Sequence, residues 1–344
     1  MEHWEVAIIG GGIAGLSVGK FLAEKGIPFV LLEEHDKFFQ KACGEGFIKN
    51  IATHEFYDLY GSKKGLYNEI WETVIHTKYG PVIVEMPIIM TNKNIVEKEL
   101  ARQAQLQGTI RMGEKVDKIV DGVLIPQQIK PKIIVGADGC FSLVRDYIGV
   151  HPPKLGMAAE GICSETALDP TQCHVIMKKE LVKDGYAWYF PKDGLWNIGI
   201  GCQEREHFRD AFSKFKQQHV VKKWRGSPLP INRPLKSYGK NAIIIGDAAA
   251  HVVALLGEGN MHSMVAAQIA ADVIEKQLSH TFNSIDFREY HHRCMHTFGT
   301  YLRHLYYISQ IFHKAIPSEY IRYKLLKHMC NATSRYYRNL YDKQ

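Results

Sequence analysis

The sequence has few cysteines and no long apolar run. No uninterrupted apolar stretch approaches the roughly 18–20 residues that a transmembrane helix needs, and the apolar run at residues 6–9 stops at Gly10, which argues against a signal peptide. The 7 cysteines are scattered and form no Cys-x-x-Cys pair, which is typical of reduced thiols and predicts a cytoplasmic protein. With 46% hydrophobic and 23% charged residues, disordered, collagen-like and coiled-coil classes are excluded.

Acidic side chains are scarce in the last part of the chain. The whole sequence carries a formal charge of +7, from 43 Lys+Arg and 36 Asp+Glu. Residues 281–344 contain ten basic and four acidic residues, so this segment accounts for +6 of that charge. A nearly neutral body therefore precedes a basic tail, and the charge bears on docking rather than on chemistry.

The pattern of strands and helices predicts an α/β fold (α+β overall) with a Rossmann-like nucleotide-binding domain. Residues 5–9, 16–25 and 28–32 follow a strand, helix, strand pattern with parallel strands. Strand-like runs separated by Lys-Asp-Gly turns predict an inserted antiparallel sheet, and the tail is predicted to be helical. The predicted boundaries are 1–80, 90–150 and 236–280 for the nucleotide-binding domain, 81–89 and 151–235 for the sheet domain, and 281–344 for the tail.

A Gly-x-Gly-x-x-Gly motif at Gly10, Gly12 and Gly15 lies between the first strand and the first helix, the context in which the motif indicates dinucleotide binding. The first glycine permits the tight turn, the second allows a pyrophosphate to approach the backbone, and the third allows close helix packing. Glu33 ends the second strand, eighteen residues after Gly15, and is placed to accept hydrogen bonds from ribose hydroxyls. The motif alone does not choose between NAD and FAD.

Two later motifs favour FAD. Asp138 and Gly139 lie in a Gly-Ala-Asp-Gly stretch that resembles the Asp-Gly fingerprint of flavin monooxygenases, and Gly246-Asp247 resembles the Gly-Asp fingerprint whose aspartate holds the ribityl chain. Three motifs in this order resemble the p-hydroxybenzoate hydroxylase type of flavoprotein, with an FAD-binding domain and a sheet-based substrate domain. The cofactor-binding residues that we predict from the motifs and this resemblance are Gly10, Gly12, Ile13, Ala14, Gly15, Glu33, Glu34, Lys41, Val116, Asp138, Gly139, Gly246, Asp247, Gly257 and Gly259.

A narrower resemblance, to the geranylgeranyl reductase family, rests on three segments. Residues 41–46 (Lys-Ala-Cys-Gly-Glu-Gly) are similar to that family's Lys-x-Cys-Gly-Gly-Gly stretch, and residues 185–192 to its Gly-Tyr-x-Trp-x-Phe-Pro-Lys signature. Residues 257–259 match its Gly-Glu-Gly segment. The sequence departs from the pattern at Glu45, where the family has glycine, and in lacking an arginine at Asn92. The resemblance implies reduction of carbon–carbon double bonds in a prenyl or other apolar substrate.

The aromatic strand is the candidate substrate-binding element. Tyr186, Trp188 and Phe190 fall on one strand face because side chains alternate, so they are candidates to line an apolar pocket, although an ordinary half-buried strand has the same pattern. Cys43, Tyr186 and Trp188 are the candidate catalytic residues; for Cys43 the choices are a proton donor or flavin contact and an inert packed thiol. Glu45 is expected to be a solvated loop carboxylate.

Several functional alternatives remain open at this point. The first is a monooxygenase or halogenase acting on an apolar or aromatic small molecule, and the second is a non-catalytic, redox-sensing flavoprotein. The sequence has no second Gly-x-Gly-x-x-Gly motif, so the reductant is expected to be NAD(P)H bound transiently at the flavin or a protein donor such as ferredoxin.

The tail also allows more than one interpretation. Tyr301, Leu305, Ile308, Phe312 and Ile316 recur at helical spacing, followed by Ile321, Leu325 and Met329. The favoured interpretation packs these stripes on the body and closes one side of the substrate cavity. A second places the basic tail on an anionic membrane, at the inner face, and nucleic-acid binding is disfavoured because no such motif accompanies it. A metal site at His292, Cys294 and His296 is disfavoured because no further ligand is evident.

Overall fold

The computed structural model describes residues 1–279 and 285–342. Its strands are β1 (Glu2–Ile9), β2 (Phe29–Glu33), β3 (Gly46–Ile48), β4 (Asn50–Ile51), β5 (His54–Glu55), β6 (Leu66–Thr77), β7 (Gly80–Thr91), β8 (Gly108–Met112), β9 (Lys118–Val120), β10 (Val123–Ile125), β11 (Ile129–Gly136), β12 (Leu155–Cys163), β13 (Cys173–Ile176), β14 (Gly185–Lys192), β15 (Leu195–Cys202), β16 (Arg225–Pro230), β17 (Tyr238–Gly239) and β18 (Ala242–Ile244). Its α-helices are α1 (Ile13–Glu24), α2 (Phe56–Tyr60), α3 (Lys93–Ala104), α4 (Leu143–Tyr147), α5 (Arg205–Gln217), α6 (Asn260–Ser279), α7 (Arg288–Cys294), α8 (Thr300–Gln310) and α9 (Glu319–Tyr341).

The first sheet carries the three motifs. Its central strand order is β17-β18-β11-β1-β2-β8, and β9 and β10 extend it beside β11. The pairs β1–β2, β2–β8, β1–β11 and β11–β18 are parallel, which confirms the predicted parallel unit around α1. Because β1, β11 and β18 are adjacent and parallel, the turns that follow them meet at one edge of the sheet.

The second sheet has the order β16-β12-β15-β14-β13-β6-β7-β3. Most of its pairs are antiparallel, as predicted, and β13 pairs with β6 in parallel. β3, β6 and β7 also belong to this sheet, so its early part extends well outside the predicted range 81–89. The sequence signal was weak there because residues 46–77 alternate glycines, aromatics and charges rather than forming an apolar run. The predicted boundary between residues 280 and 281 lies outside the described residues.

The helices after residue 285 pack on the body. Leu302, Leu305, Phe312 and Leu326 are buried in the main apolar core, and Ile308, Leu325 and Met329 are packed partly against it. On α9, the Ser334 hydroxyl accepts a 2.9 Å hydrogen bond from the Glu85 amide of β7. The favoured interpretation of the tail is therefore confirmed as far as packing is concerned.

Three members of the predicted stripes are not part of this core: Tyr301 and Ile321 are exposed, and Ile316 is half-buried. In the described ranges, no helix combines the length and apolar character that a membrane crossing requires. Cys294 is buried while His292 and His296 are exposed, so these three side chains do not converge on one point. Lys343, one of the basic residues of the tail, lies outside the described residues.

Candidate active site

The glycine turn after β1 is shaped by close backbone packing. Gly10 has φ +103°, and a Cβ there would lie 2.3 Å from the Ala137 carbonyl oxygen. A Cβ on Gly15 would lie 1.9 Å from the Gly10 carbonyl oxygen, so only glycine allows α1 to approach the turn. A Cβ added to Gly12, the N-cap of α1, would have no other atom within 4 Å. The helix N-terminus therefore opens onto free space, where its amides favour an anion.

Two acidic residues flank this space. Glu33 accepts a 2.6 Å hydrogen bond from the Gly11 amide, which holds its carboxylate against the glycine turn. Asp138 accepts hydrogen bonds from the Leu143 and Val144 amides through Oδ2, at 2.7 and 3.2 Å. Its other oxygen, Oδ1, is buried without a partner, and burial raises the pKa of this carboxyl group. A bound donor that reached Oδ1 would satisfy it.

Asp247 lies after β18 in a short 3₁₀ turn and forms an ion pair with Lys41 from the loop after β2. Burial opposes the charge of Lys41, but the Asp247 carboxylate outweighs this effect and raises the pKa of the lysine. The Cys140 thiol lies 3.6 Å from Asp247 Oδ2, and burial raises the pKa of that thiol. The three motif-bearing segments therefore meet at one point.

A cavity of about 1340 Å³ runs along this edge. The predicted cofactor residues that line it are Gly10, Gly12, Ile13, Ala14, Glu33, Glu34, Lys41, Val116, Asp138, Gly139, Asp247, Gly257 and Gly259. Gly15 and Gly246 are not in the wall; they pack behind it, where a Cβ on Gly246 would lie 3.0 Å from the Ala14 side chain. The open helix N-terminus, the orphaned Asp138 oxygen and the Asp247 carboxylate fit the diphosphate and hydroxyl groups of FAD.

The aromatic strand β14 forms another part of the same wall. Tyr186, Trp188 and Phe190 all line the cavity, as their alternation along the strand predicts. The Tyr186 hydroxyl donates a hydrogen bond to the Leu256 carbonyl, which attaches the strand to the Gly-Glu-Gly loop. The Tyr186 and Trp188 rings meet edge to face, with centroids 6.2 Å apart. The strand therefore presents a rigid aromatic surface to whatever occupies the cavity.

Cys43 also lines the cavity and is half-buried. Its sulfur accepts hydrogen bonds from the Glu45 amide at 3.4 Å and from Asn260 Nδ2 at 3.5 Å. Glu45 itself is completely buried and paired with Lys192, so the expectation of a solvated carboxylate was wrong. The reason is tertiary: Lys192 comes from the end of β14, far away in the sequence.

Glu258, between the two glycines of the Gly-Glu-Gly loop, points its side chain back toward α6. Its carboxylate accepts a 3.0 Å hydrogen bond from the Met261 amide and lies 2.7 Å from His262 Nδ1. This arrangement caps the N-terminus of α6 and fixes the loop. Gly257, Glu258 and Gly259 all line the cavity.

Beyond the aromatic strand, the cavity becomes a mostly apolar space that we call the apolar lobe. Its walls come from the second sheet on one side and from α8 and α9 on the other. The lining side chains include Ile75, Val84, Met86, Ile88, Val175, Met177, Val253, Leu255, Phe298, Leu305, Phe312, Leu326, Met329 and Cys330. The mixed polar groove and the apolar lobe form one continuous cavity.

Sequence reasoning missed Asn197, a fully buried polar residue at the centre of the site. Its Oδ1 accepts a 2.9 Å hydrogen bond from Trp188 Nε1, and its Nδ2 donates to the Cys43 carbonyl at 2.9 Å. A signal was present, because Asn197 is a single amide in the otherwise apolar strand β15, which pairs with the aromatic strand. A buried polar residue in such a strand requires partners nearby.

Comparisons with known proteins agree with this geometry. A family model described as an FAD binding domain matches residues 3–160, and one described as a geranylgeranyl reductase catalytic domain matches residues 156–230. The chain is 24% identical, over 81% of its length and 76% of the relative's, to a digeranylgeranylglycerophospholipid reductase of Methanosarcina acetivorans.

Two solved structures share the fold. A geranylgeranyl bacteriochlorophyll reductase-like protein from Thermoplasma acidophilum has a TM-score of 0.81 at 17% identity, covering 97% of this chain and 92% of that one. The p-nitrophenol 4-monooxygenase of Pseudomonas putida has a TM-score of 0.76, also at 17% identity, covering 100% of this chain and 98% of that one. The matched segments contain the glycine turn, the Asp138 motif and the aromatic strand described above. The chain is an FAD-dependent oxidoreductase that combines an FAD binding domain with a segment matching the geranylgeranyl reductase catalytic domain.

Proposed function

We propose that the protein reduces carbon–carbon double bonds in a prenyl chain held in the apolar lobe. The observation that carries this proposal is the continuity of one cavity, which passes from the FAD-shaped groove along Trp188 into a space walled by aliphatic and aromatic side chains. A long, flexible hydrocarbon without polar groups matches such a wall, because most of the side chains that line it are apolar. The names of the relatives, reductases of geranylgeranyl lipids, support the same substrate class.

The division of labour follows from the positions of the residues. FAD, when bound, supplies the hydride that reduces the double bond. The glycine turn, Glu33 and Asp247 hold the cofactor, and Tyr186, Trp188 and Phe190 orient the substrate along the wall. Helices α8 and α9 exclude water from the lobe. Cys43 is our candidate for the proton source, because its half-buried thiol lies on the wall near Trp188.

Reoxidation of the reduced enzyme tests this function. The purified yellow protein is reduced without oxygen and mixed with a geranylgeranyl lipid, and the flavin absorbance is followed. Return of the oxidised band, with a product heavier by two hydrogens for each double bond reduced, is the expected result. If only oxygen with an aromatic substrate restores the band and yields a hydroxylated or halogenated product, the enzyme is a monooxygenase or halogenase. If neither the lipid nor oxygen with an aromatic substrate is turned over, the protein is a non-catalytic, redox-sensing flavoprotein.

The electron donor is expected to act at the flavin directly. We propose NAD(P)H or a small electron-carrier protein such as ferredoxin, because the sequence has one dinucleotide-binding glycine motif, which would hold FAD. Anaerobic titration with NADH, NADPH and reduced ferredoxin, each followed at the flavin band, distinguishes them.

We further propose that the tail touches an anionic membrane surface from the cytoplasm. Apolar side chains with more than half of their surface exposed lie on α8 (Tyr301) and α9 (Ile321 and Tyr336), and Tyr301 and Tyr336 also line the cavity. On the outer face of α9, Lys324, Lys327 and Arg335 are exposed. An apolar rim beside basic residues suits a lipid interface. All seven cysteines are free thiols, in keeping with a reducing compartment.

A further inference from the structure

Glu45 has a backbone conformation that side chains rarely adopt. It lies between Gly44 and Gly46 with φ +61°, in the left-handed region, and its side chain has no exposed surface. Its carbonyl oxygen accepts hydrogen bonds from both the amide and the hydroxyl of Thr91, at 3.0 and 2.9 Å. A non-glycine residue persists in this region only when its surroundings hold it there, and such residues cluster at functional sites.

The carboxylate of Glu45 is held by three donors from three different elements. It accepts a 2.8 Å hydrogen bond from the Lys93 amide at the start of α3. Lys192, at the end of β14, forms an ion pair with its Oε1, and Asn197 Nδ2 lies 3.3 Å from the same oxygen. The carboxylate therefore connects the Cys43 loop to helix α3 and to the adjacent strands β14 and β15 of the second sheet.

Asn197 extends this network to the cavity wall. Its amide group binds Trp188 Nε1 through the oxygen and the Cys43 carbonyl through the nitrogen, both at 2.9 Å. Phe190 and Trp188 also press on the loop, because a Cβ on Gly44 would lie 3.1 Å from the Phe190 ring and 3.4 Å from Trp188 Nε1. Glu45, Lys192 and Asn197 therefore connect the Cys43 loop to the aromatic strand.

We infer that Glu45 is a positioning residue, which through Lys192 and Asn197 fixes Cys43 and Trp188 relative to each other on the cavity wall. Glu45 belongs to the cavity lining, but its side chain has no exposed surface and both of its carboxylate oxygens accept hydrogen bonds from the protein. Its effect therefore passes through Cys43 and Trp188, whose side chains also line the cavity. Small errors in the placement of reacting groups cost large factors in rate, since reactivity depends on near-contact geometry. This inference rests on the proposed function only for its kinetic readout.

The test removes the pair without leaving an unpaired buried charge, by combining Glu45→Gln with Lys192→Gln. We expect a fall in kcat of about tenfold or more with KM within about twofold, because geometry and not affinity is disturbed. Cys43 supplies a second readout: it is half-buried while the other six cysteines are buried, so alkylation of the native holoenzyme by iodoacetamide reports on this residue. Its labelling rate, measured by mass spectrometry, is expected to rise at least about fivefold as the loop loosens.

Three variants make the result decisive. Asn197→Ala, which cuts the link to Trp188 and leaves the ion pair, should reproduce both effects. Cys43→Ser should abolish the labelling that is followed. Glu99→Gln is the matched control, since Glu99 is also buried and paired, with Arg102 at 2.8 Å, but does not line the cavity. It should change neither kcat nor labelling.

Unchanged labelling and kcat in the double variant, at whatever stability, would overturn the positioning role. If the wild-type enzyme does not reduce prenyl lipids, the proposed function fails. The labelling rates of Glu45→Gln/Lys192→Gln and Asn197→Ala still decide the positioning role in that case.

Discussion

Asp247 is the single residue on which cofactor binding depends most directly. It lies in the 3₁₀ turn that follows β18, carries a negative charge where the three motifs meet, and pairs with Lys41. We expect Asp247→Asn to keep the shape of the side chain but to weaken FAD binding about 10- to 100-fold, because a charge-assisted hydrogen bond contributes about 1.5–3 kcal/mol. The ratio of flavin to protein absorbance after gel filtration measures the loss.

Asp146→Asn provides the control for that substitution. Asp146 lies on α4, and its side chain is 65% exposed, so the same change of charge there should leave the FAD content untouched. Full FAD retention by Asp247→Asn would contradict the role that we give to the Gly-Asp motif.

His251 makes the stability of the fold depend on pH. It is buried behind the Gly-Glu-Gly loop with its ring against Phe298, and burial, together with His262 and His291, lowers its pKa from 6.5 to about 3. The folded protein therefore keeps His251 neutral, whereas the unfolded chain protonates it near pH 6.5. Its contribution is complete above pH 6.5 and is lost progressively as the pH falls toward 3.

From these values, the wild type should lose about 2 kcal/mol more unfolding free energy than His251→Leu between pH 7.5 and 5. Urea unfolding at both pH values measures the difference. His292→Leu, at an exposed position, should retain the wild-type slope. Parallel pH profiles for His251→Leu and the wild type would show that His251 also titrates in the folded state.

At the scale of elements, α9 is expected to set the size of the apolar lobe. Cys330 is buried on the cavity face of this helix. Cys330→Trp places an indole in the lobe, so kcat/KM for a geranylgeranyl substrate should fall about tenfold or more, while a shorter prenyl substrate loses less. FAD content should stay the same, because the groove is formed by other elements. Steady-state kinetics with substrates of two chain lengths measure the change.

Asn331→Trp adds the same side chain at an exposed position of α9 that does not line the cavity, and serves as the control. It should leave both substrates unaffected. Equal losses for the short and long substrates in Cys330→Trp would mean that the lobe does not hold the prenyl chain.

The elements predicted from the sequence are those whose signal is local. Gly10 and Gly15 are required in the turn after the first strand, because a side chain at either position would collide with a backbone carbonyl oxygen. The βαβ unit could therefore be predicted from the sequence. The parallel pairing of β13 with β6 has no local sequence signal, because the paired segments are far apart in the chain: His76 and His174, for example, are separated by 98 positions. The burial of Glu45 could not be predicted for the same reason, since Lys192 is 147 positions away.

At the scale of the whole molecule, the basic outer face of α9 predicts preferential binding to anionic vesicles. Replacing Lys324, Lys327 and Arg335 by glutamate should weaken binding to phosphatidylglycerol vesicles at least about 100-fold, because each basic residue near such a surface contributes about 1 kcal/mol. Vesicle sedimentation measures the binding, and zwitterionic vesicles should bind weakly throughout. The same reversal at Lys214, Lys216 and Lys222, which are exposed on or just after α5, changes the net charge equally. It should have little effect, and an equal loss in both variants would contradict a specific tail contact.

The position of α9 in the chain has a consequence for biosynthesis. This helix completes the wall of the apolar lobe but follows every other described element, and the turn that carries Asp247 lies about a hundred residues before the end of α9. At translation rates of about 5–20 residues per second, roughly 5–20 s separate the two on the ribosome. The nascent chain can therefore take up FAD while its lobe is still open to water. We expect truncations within α9 to yield flavin-loaded but aggregation-prone protein, with the exposed lobe as the surface that chaperones recognise.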